Sequence, residues 1–202
     1  MTDPVAETTG YYNRHAAGFA AQTANIDMES IYRRFHPHVR TGERTLDAGC
    51  GVGRDAVAFA DRGYDVVAIN ASEEMVRLAR DRVGDRAAEH LMPFHDVQWR
   101  NEFDGIWTCA SLMHVPAASF ADIAMRLVGA LRPGGAWYMS FKFGRGERTA
   151  GGRLFVDNDE ERLRQSLEAT PVDIIETWVS EDVRPERSNE RWLNAIARRA
   201  GG

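Results

Sequence analysis

The chain has 202 residues, 44% hydrophobic and 27% charged, with a formal net charge of −5. That composition excludes wholesale disorder, and the length suits one domain that buries roughly 70% of its unfolded surface without a metal or disulfide scaffold. The acidic balance disfavours nucleic acid as a partner, and no apolar run or basic-then-apolar leader argues for a membrane or for secretion. Cys50 and Cys109 sit in glycine-rich or apolar stretches and read as reduced, buried thiols of a cytoplasmic protein.

In chain order, Tyr11-Tyr12-Asn13 opens a helix that runs through Phe19. A second follows, with Met28, Ile31, Phe35 and Val39 on one face and Pro37 ending it early. Residues 1–42 thus read as a helical lid on a core formed by 43–202. From Arg44 a strand-then-helix rhythm sets in. Thr45–Ala48 is a strand, Arg54–Arg62 a helix with Gly63 as its stop, and Asp65–Ile69 a second strand. Ser72 caps a helix over Glu73–Arg82, where Glu73 and Glu74 suit the positive end. Met92–Phe94 falls in a third strand and Phe103–Ala110 forms a fourth. Ser119 with Asp122 has capping-box spacing and starts a helix to Leu131. Arg132-Pro133-Gly134-Gly135 breaks that helix before a fifth strand, Ala136–Phe143. Asn158 caps a helix to Leu167, and Val172–Val179 and Arg191–Ala197 are late strands.

Strands alternating with helices predict an α/β single-domain, Rossmann-like doubly wound sheet. About seven strands are expected, mostly parallel, with an antiparallel strand near the C-terminus. In such sheets ligands sit beyond the carboxyl ends of the strands, where strand order reverses. The loop there is Gly49-Cys50-Gly51-Val52-Gly53. Its G-x-G-x-G spacing differs from the dinucleotide fingerprint G-x-G-x-x-G, with Arg54 where that pattern has a small residue. Asp47 stands two positions before the first glycine. A pyrophosphate is repelled by that carboxylate and an ammonium group is attracted.

Through LDAGCGVGRD, VVAINASEEM, FDGIWTCASLMHVP and LRPGGAWYMSF, the stretch from Arg44 to Phe143 resembles the class I S-adenosylmethionine-dependent methyltransferases. The tail from Gly152 to Arg199 is similar to small bacterial members. The resemblance implies S-adenosyl-L-methionine as cofactor and S-adenosyl-L-homocysteine as product. By the same resemblance Asp47, Gly49, Cys50 and Gly51 hold the methionine end, and Asn70 and Ala71 meet the ribose. Met75 packs on the adenine, Asp96 and Val97 bind its edge, and Ala110 and Ser111 lie beside the sulfonium. Asn70 departs from the family's usual carboxylate, which accepts from both ribose hydroxyls at once. Either the cofactor is held less tightly, or the pocket favours an altered cofactor or altered chemistry.

On the substrate side, His114 follows the fourth strand and suits a base or an orienting group, with a loop-carbonyl hydrogen bond as its structural alternative. Tyr11, on the lid helix, is the other catalytic candidate and a cofactor contact. Tyr12, His15, Lys142 and Arg153 are candidate substrate contacts, the last two for an anionic group. His36-Pro37-His38 lacks further ligands, and no metal is expected. The function implied is methyl transfer to a nitrogen, oxygen or sulfur of a small molecule. The alternatives are non-methylating chemistry on the same cofactor, a catalytically silent cofactor-binding partner, and a nucleic-acid or polypeptide substrate.

Overall fold

The computed structural model describes residues 3–201. Nine strands occur among them: β1 (Arg44–Ala48), β2 (Asp65–Asn70), β3 (Ala87–Leu91), β4 (Phe103–Thr108), β5 (Leu131–Lys142), β6 (Gly146–Ala150), β7 (Arg153–Asp157), β8 (Val172–Glu181) and β9 (Arg191–Arg199). Seven form one sheet in the order β3-β2-β1-β4-β5-β9-β8. β1 to β5 are mutually parallel, and β9 runs antiparallel to both of its neighbours. Strand order reverses between β1 and β4, which puts the crevice over their carboxyl ends.

Both faces of the sheet are covered, so its central strands are apolar almost without a break. On one face α5 (Phe120–Ala130) and α6 (Glu160–Leu167) pack over Leu46, Ile106, Trp137 and Phe141. On the other, α2 (Glu29–Phe35), α3 (Arg54–Asp61) and α4 (Glu73–Val83) pack over Val66, Ala68, Trp107 and Tyr138. Trp107 and Tyr138 stack there with centroids 3.8 Å apart. α1 (Pro4–Thr23) lies apart from these layers, across the ends of the strands against α4 and β7.

Three local expectations are corrected. The third strand is Ala87–Leu91, while Phe94–Asp96 makes a 3-10 turn after Pro93. As an edge strand β3 pairs only with β2, so half-exposed polar residues suffice. The basic, glycine-rich stretch after β5 forms the hairpin β6–β7, turned by Gly151 and Gly152 at φ 56° and 75°. Two adjacent positive φ values are what a two-residue hairpin turn requires, and glycine supplies them without strain. α6 is capped by Asp159, whose carboxylate accepts from Arg162 N at 2.9 Å, while the backbone of Asn158 bonds to Lys142 and Gly144. Ser119 makes no side-chain cap to α5, whereas Ser72 Oγ accepts from Met75 N at 3.3 Å as expected.

Gly105 shows how tightly α2 seats. A Cβ there would lie 2.7 Å from Val39 Cγ2 and 2.9 Å from Phe35 Cζ, and Phe35 is fully buried. Gly105→Ala is expected to cost about 1–3 kcal/mol through overpacking. The check is a lowered urea midpoint at unchanged slope; an unmoved midpoint would mean that α2 yields freely.

Candidate active site

A cavity of about 940 Å³ opens over the strand-order reversal, walled by the loops after β1, β2, β3 and β4, by α1, and by the β6–β7 hairpin. Its floor is the glycine loop. A Cβ on Gly49 would stand 2.3 Å from Ser111 Cβ, and Gly49 has φ 88°, so the position tolerates no side chain. Ser111 Oγ donates to Ala48 O at 2.8 Å and locks the β4 loop onto the end of β1. Gly49 N and Cys50 N both donate to Ile69 O, and Gly53 N donates to Cys50 O. These three N–H groups are committed inside the protein and are withdrawn from any phosphate nest the loop could form.

Beneath the loop lie Asp47 and Asp55, both buried. Asp55 accepts from Arg54 Nε and Nη2 at 2.6 and 2.9 Å, Tyr32 Oη at 2.5 Å and Trp107 Nε1 at 2.9 Å. Burial pushes its carboxyl up, but Arg54 and these donors outweigh burial and hold it below the usual carboxylate range. Asp47 is the opposite case. Burial first, then the charge of Asp55, push its carboxyl well up, and its Oδ2 has no hydrogen-bond partner. A cationic group above this floor would relieve it. These buried carboxylates therefore suit an ammonium ligand better than a diphosphate.

Beside the floor, Asn70 Oδ1 accepts from Ser72 N at 2.9 Å. Because that partner is a donor, the amide orientation is fixed and its Nδ2 hydrogens are left uncommitted at the cavity wall. Ser72 Oγ donates to Asn13 Oδ1 at 2.6 Å, tying α1 to the start of α4.

α1 is fastened at two further points. Leu154 N donates to Thr8 Oγ1 at 2.9 Å, and Tyr12 Oη lies 2.8 Å from His114 Nε2. His114 Nδ1 is 2.6 Å from Leu154 O. A carbonyl only accepts, so Nδ1 carries the proton, and in the neutral ring Nε2 accepts from the Tyr12 hydroxyl. Burial brings His114 down to about 4 from 6.5; the Leu154 bond opposes the shift and the charge of Arg153 adds to it.

Of the residues expected to form the site, Tyr12, Gly49, Cys50, Gly51, Asn70, Ala71, Met75, Ala110, Ser111, His114, Lys142 and Arg153 line the cavity together. Asp47 sits under its floor. Asp96 is exposed and Val97 is buried in the core, and neither lines the cavity, whereas Phe94 and His95 do. Tyr11 and His15 stack on each other at 4.2 Å, outside the lining. Thr8, Phe19, Arg54, Phe155 and Trp192 line the cavity without having been singled out as site residues. The α1 members were findable, because positions 8, 12, 19 and 23 recur at helical spacing on one face. His36 Nδ1 meets Tyr64 Oη at 2.8 Å, and His38 Nδ1 meets Arg198 at 3.0 Å.

Residues 45–135 match a family described as a methyltransferase domain. A methyltransferase of Streptomyces halstedii, GfsG, is 33% identical over 122 residues, which make up 57% of this chain and 42% of that protein. The magnesium-protoporphyrin O-methyltransferase of Rhodobacter capsulatus is 47% identical over 56 residues, 28% of this chain and 25% of that one. The chain spans less than half the length of these relatives. Among solved structures, the Burkholderia thailandensis 1,6-didemethyltoxoflavin-N1-methyltransferase, with bound 1,6-didemethyltoxoflavin and S-adenosylhomocysteine, superposes with a TM-score of 0.82. That match is 22% identical and covers 99% of this chain and 92% of that one. The magnesium protoporphyrin IX methyltransferase of Synechocystis PCC 6803 with bound SAM gives 0.77 at 16% identity, covering 99% of both chains. At such identities the likeness is one of fold.

The state of His114 has a consequence for stability. Its native value lies below that of the free ring, so between about 6.5 and about 4 the unfolded chain takes up a proton that the native protein refuses. Stability is full above pH 6.5 and is lost as pH falls through that window, by up to about 3 kcal/mol. Urea unfolding at stepped pH checks this. His114→Asn should flatten the acid slope, and an unchanged slope would show that His114 titrates freely.

Proposed function

We propose that the chain is a class I S-adenosylmethionine-dependent methyltransferase and that it transfers a methyl group from S-adenosylmethionine to a nitrogen, oxygen or sulfur nucleophile of a small molecule. The observation that carries this reading is the cavity floor: a glycine loop, with the N–H groups of Gly49, Cys50 and Gly53 turned inward, over the buried carboxylate of Asp47, whose Oδ2 has no partner. That floor suits the ammonium of an amino-acid tail. When bound, S-adenosylmethionine supplies a methyl group already activated by positive sulfur.

The chain's residues then have three tasks. Gly49, Gly51 and Asp47 receive the methionine end, Asn70 and Ala71 the ribose side, and Met75, only 1% exposed, packs along the wall. α1 closes over the crevice and excludes water. Tyr12 and His114 handle a proton. An acceptor hydroxyl or N–H that reaches Tyr12 Oη passes its proton there as the tyrosyl proton moves to His114 Nε2, with Leu154 O holding the far side of the ring. A ring held near 4 is a weak base, so the relay suits acceptors that are acidic or already ionised. A small-molecule acceptor fits a cleft of about 940 Å³ whose walls combine apolar and aromatic side chains with charged ones.

Isothermal titration with S-adenosylhomocysteine tests the first step, and failure to bind would sink the reading. Asn70→Asp restores a carboxylate that accepts from both ribose hydroxyls while keeping the Ser72 bond, and should tighten S-adenosylhomocysteine about tenfold. No change in Kd would place the ribose elsewhere. Tyr12→Phe removes the relay and should lower kcat by about 10- to 100-fold, with the cofactor Kd nearly unchanged, in transfer of labelled methyl to a metabolite extract. Equal kcat values would exclude the relay.

A further inference from the structure

The net charge of the chain is negative, yet seven arginine and lysine residues line the cavity against five carboxylates. Most of these cations are spoken for. Arg54 is bidentate on Asp55, Arg148 on Asp157 at 3.0 and 3.1 Å, and Arg184 on Asp182 at 2.8 and 2.7 Å. Lys142 pairs with Glu190, lies 3.7 Å from Asp182, and sits over the Trp192 ring. Arg187 is 3.9 Å from Glu190, and Arg191 is solvent-exposed over Phe143.

Arg153 differs. Among the described residues no carboxylate lies within 4 Å of it, and its Nε is buried without a hydrogen-bond partner. Its guanidinium carbon is 4.5 Å from the ring centroid of Tyr11, 5.0 Å from Phe155 and 6.0 Å from Tyr12. Aromatic faces attract the cation and the Tyr12 hydroxyl oxygen accepts one of its N–H groups, but the buried Nε remains a desolvated, unsatisfied donor. The hairpin register puts this residue next to Leu154, whose carbonyl fixes His114 and whose N–H holds α1. The unsatisfied cation therefore adjoins the Tyr12–His114 pair.

Resting on the methyl-transfer reading above, we propose that Arg153 is the receptor for a carboxylate carried by the methyl acceptor, and that the acceptor is a flat aromatic acid. A planar guanidinium offers a carboxylate two parallel donors, a geometry that lysine cannot copy. Phe94, Phe143, Phe155 and Trp192 on the cavity wall provide faces for a ring. Arg148, Arg184 and Lys142, cations of the same cavity, are each held by carboxylates of their own and do not compete for the anion.

The test uses the full chain saturated with S-adenosylhomocysteine, titrated with 4-hydroxybenzoate and with its uncharged counterpart 4-hydroxybenzamide. The wild type should bind the carboxylate at least tenfold more tightly than the amide. Arg153→Met, which keeps the apolar stack, should bring the two within twofold; Arg153→Lys should retain an intermediate preference. S-adenosylhomocysteine affinity should change less than threefold in either variant, and thermal unfolding checks that both are folded. No carboxylate preference in the wild type, or a preference that survives Arg153→Met, overturns the proposal. A tenfold loss of S-adenosylhomocysteine affinity in Arg153→Met would overturn it too, by assigning the guanidinium to the cofactor's own carboxylate. Failure of the wild type to bind S-adenosylhomocysteine at all would remove the methyl-transfer reading itself.

Discussion

The carboxylate of Asp55 joins more of this molecule than any other side chain described above. It is buried at the start of α3, where four donors from three elements converge on it: Tyr32 of α2, Trp107 of β4, and both prongs of Arg54. A buried charge left unpaired would cost several kcal/mol, so this one is sustainable only while all of its donors remain in place. Each donor is itself anchored. Trp107 stacks on Tyr138 of β5, and Tyr32 packs on Phe59 and Trp107. The carboxylate thus fixes where α3 begins relative to the sheet, and with that the path of the glycine loop immediately before it.

The same arrangement decides what the loop can bind. The N-terminus of a helix ordinarily offers partial positive charge to a phosphate. Here that charge already faces an internal anion, because Asp55 lies in the first turn of α3, and Asp47 adds a second carboxylate behind the loop. One guanidinium, Arg54, serves the two acids and is bidentate on only one. The floor of the cavity therefore stays short of positive charge. A phosphate would meet repulsion and committed N–H groups, while a ligand bringing its own cation completes the balance. At the opposite wall Arg153 supplies the reverse polarity, so the cavity is cation-seeking at one end and anion-seeking at the other.

How much of this was legible in the sequence depended on how locally each feature is determined. The glycine loop, β1, β2, β4 and the Ser72 cap are each specified within a few residues, and the structure has them where the residues imply. β3 was misplaced because an edge strand needs only one pairing partner and shows no apolar signal; Ala87–Leu91 is set by its pairing with residues 66–70 of β2. The β6–β7 hairpin has no apolar alternation in its first strand, where Glu147 and Arg148 are exposed, and its signal is the Gly151-Gly152 turn between two runs of extended residues. Tyr11 and Tyr12 differ by about 100° around one helix, and only the neighbouring Thr8, Phe19 and Thr23 reveal which of the two faces the cavity. The bond from Tyr12 to His114 spans 102 positions in the chain, a distance at which no local pattern carries information.

Long-range fastening of this kind also bears on how the cavity opens. α1 is tied down through Thr8 to β7, Tyr12 to the loop after β4, and Asn13 to the loop after β2. At roughly 1 kcal/mol for each hydrogen bond, three such ties hold the helix closed for most of the time yet let it lift at a modest free-energy cost. Lifting α1 would remove Tyr12 from His114 and Tyr11 from Arg153 in one movement, since the two tyrosines are adjacent on the same helix. The proton relay and the anion receptor would then be taken apart and reassembled together. A ligand that reaches across to both would help to draw the helix back down, so closure and the completion of the reactive geometry become a single event.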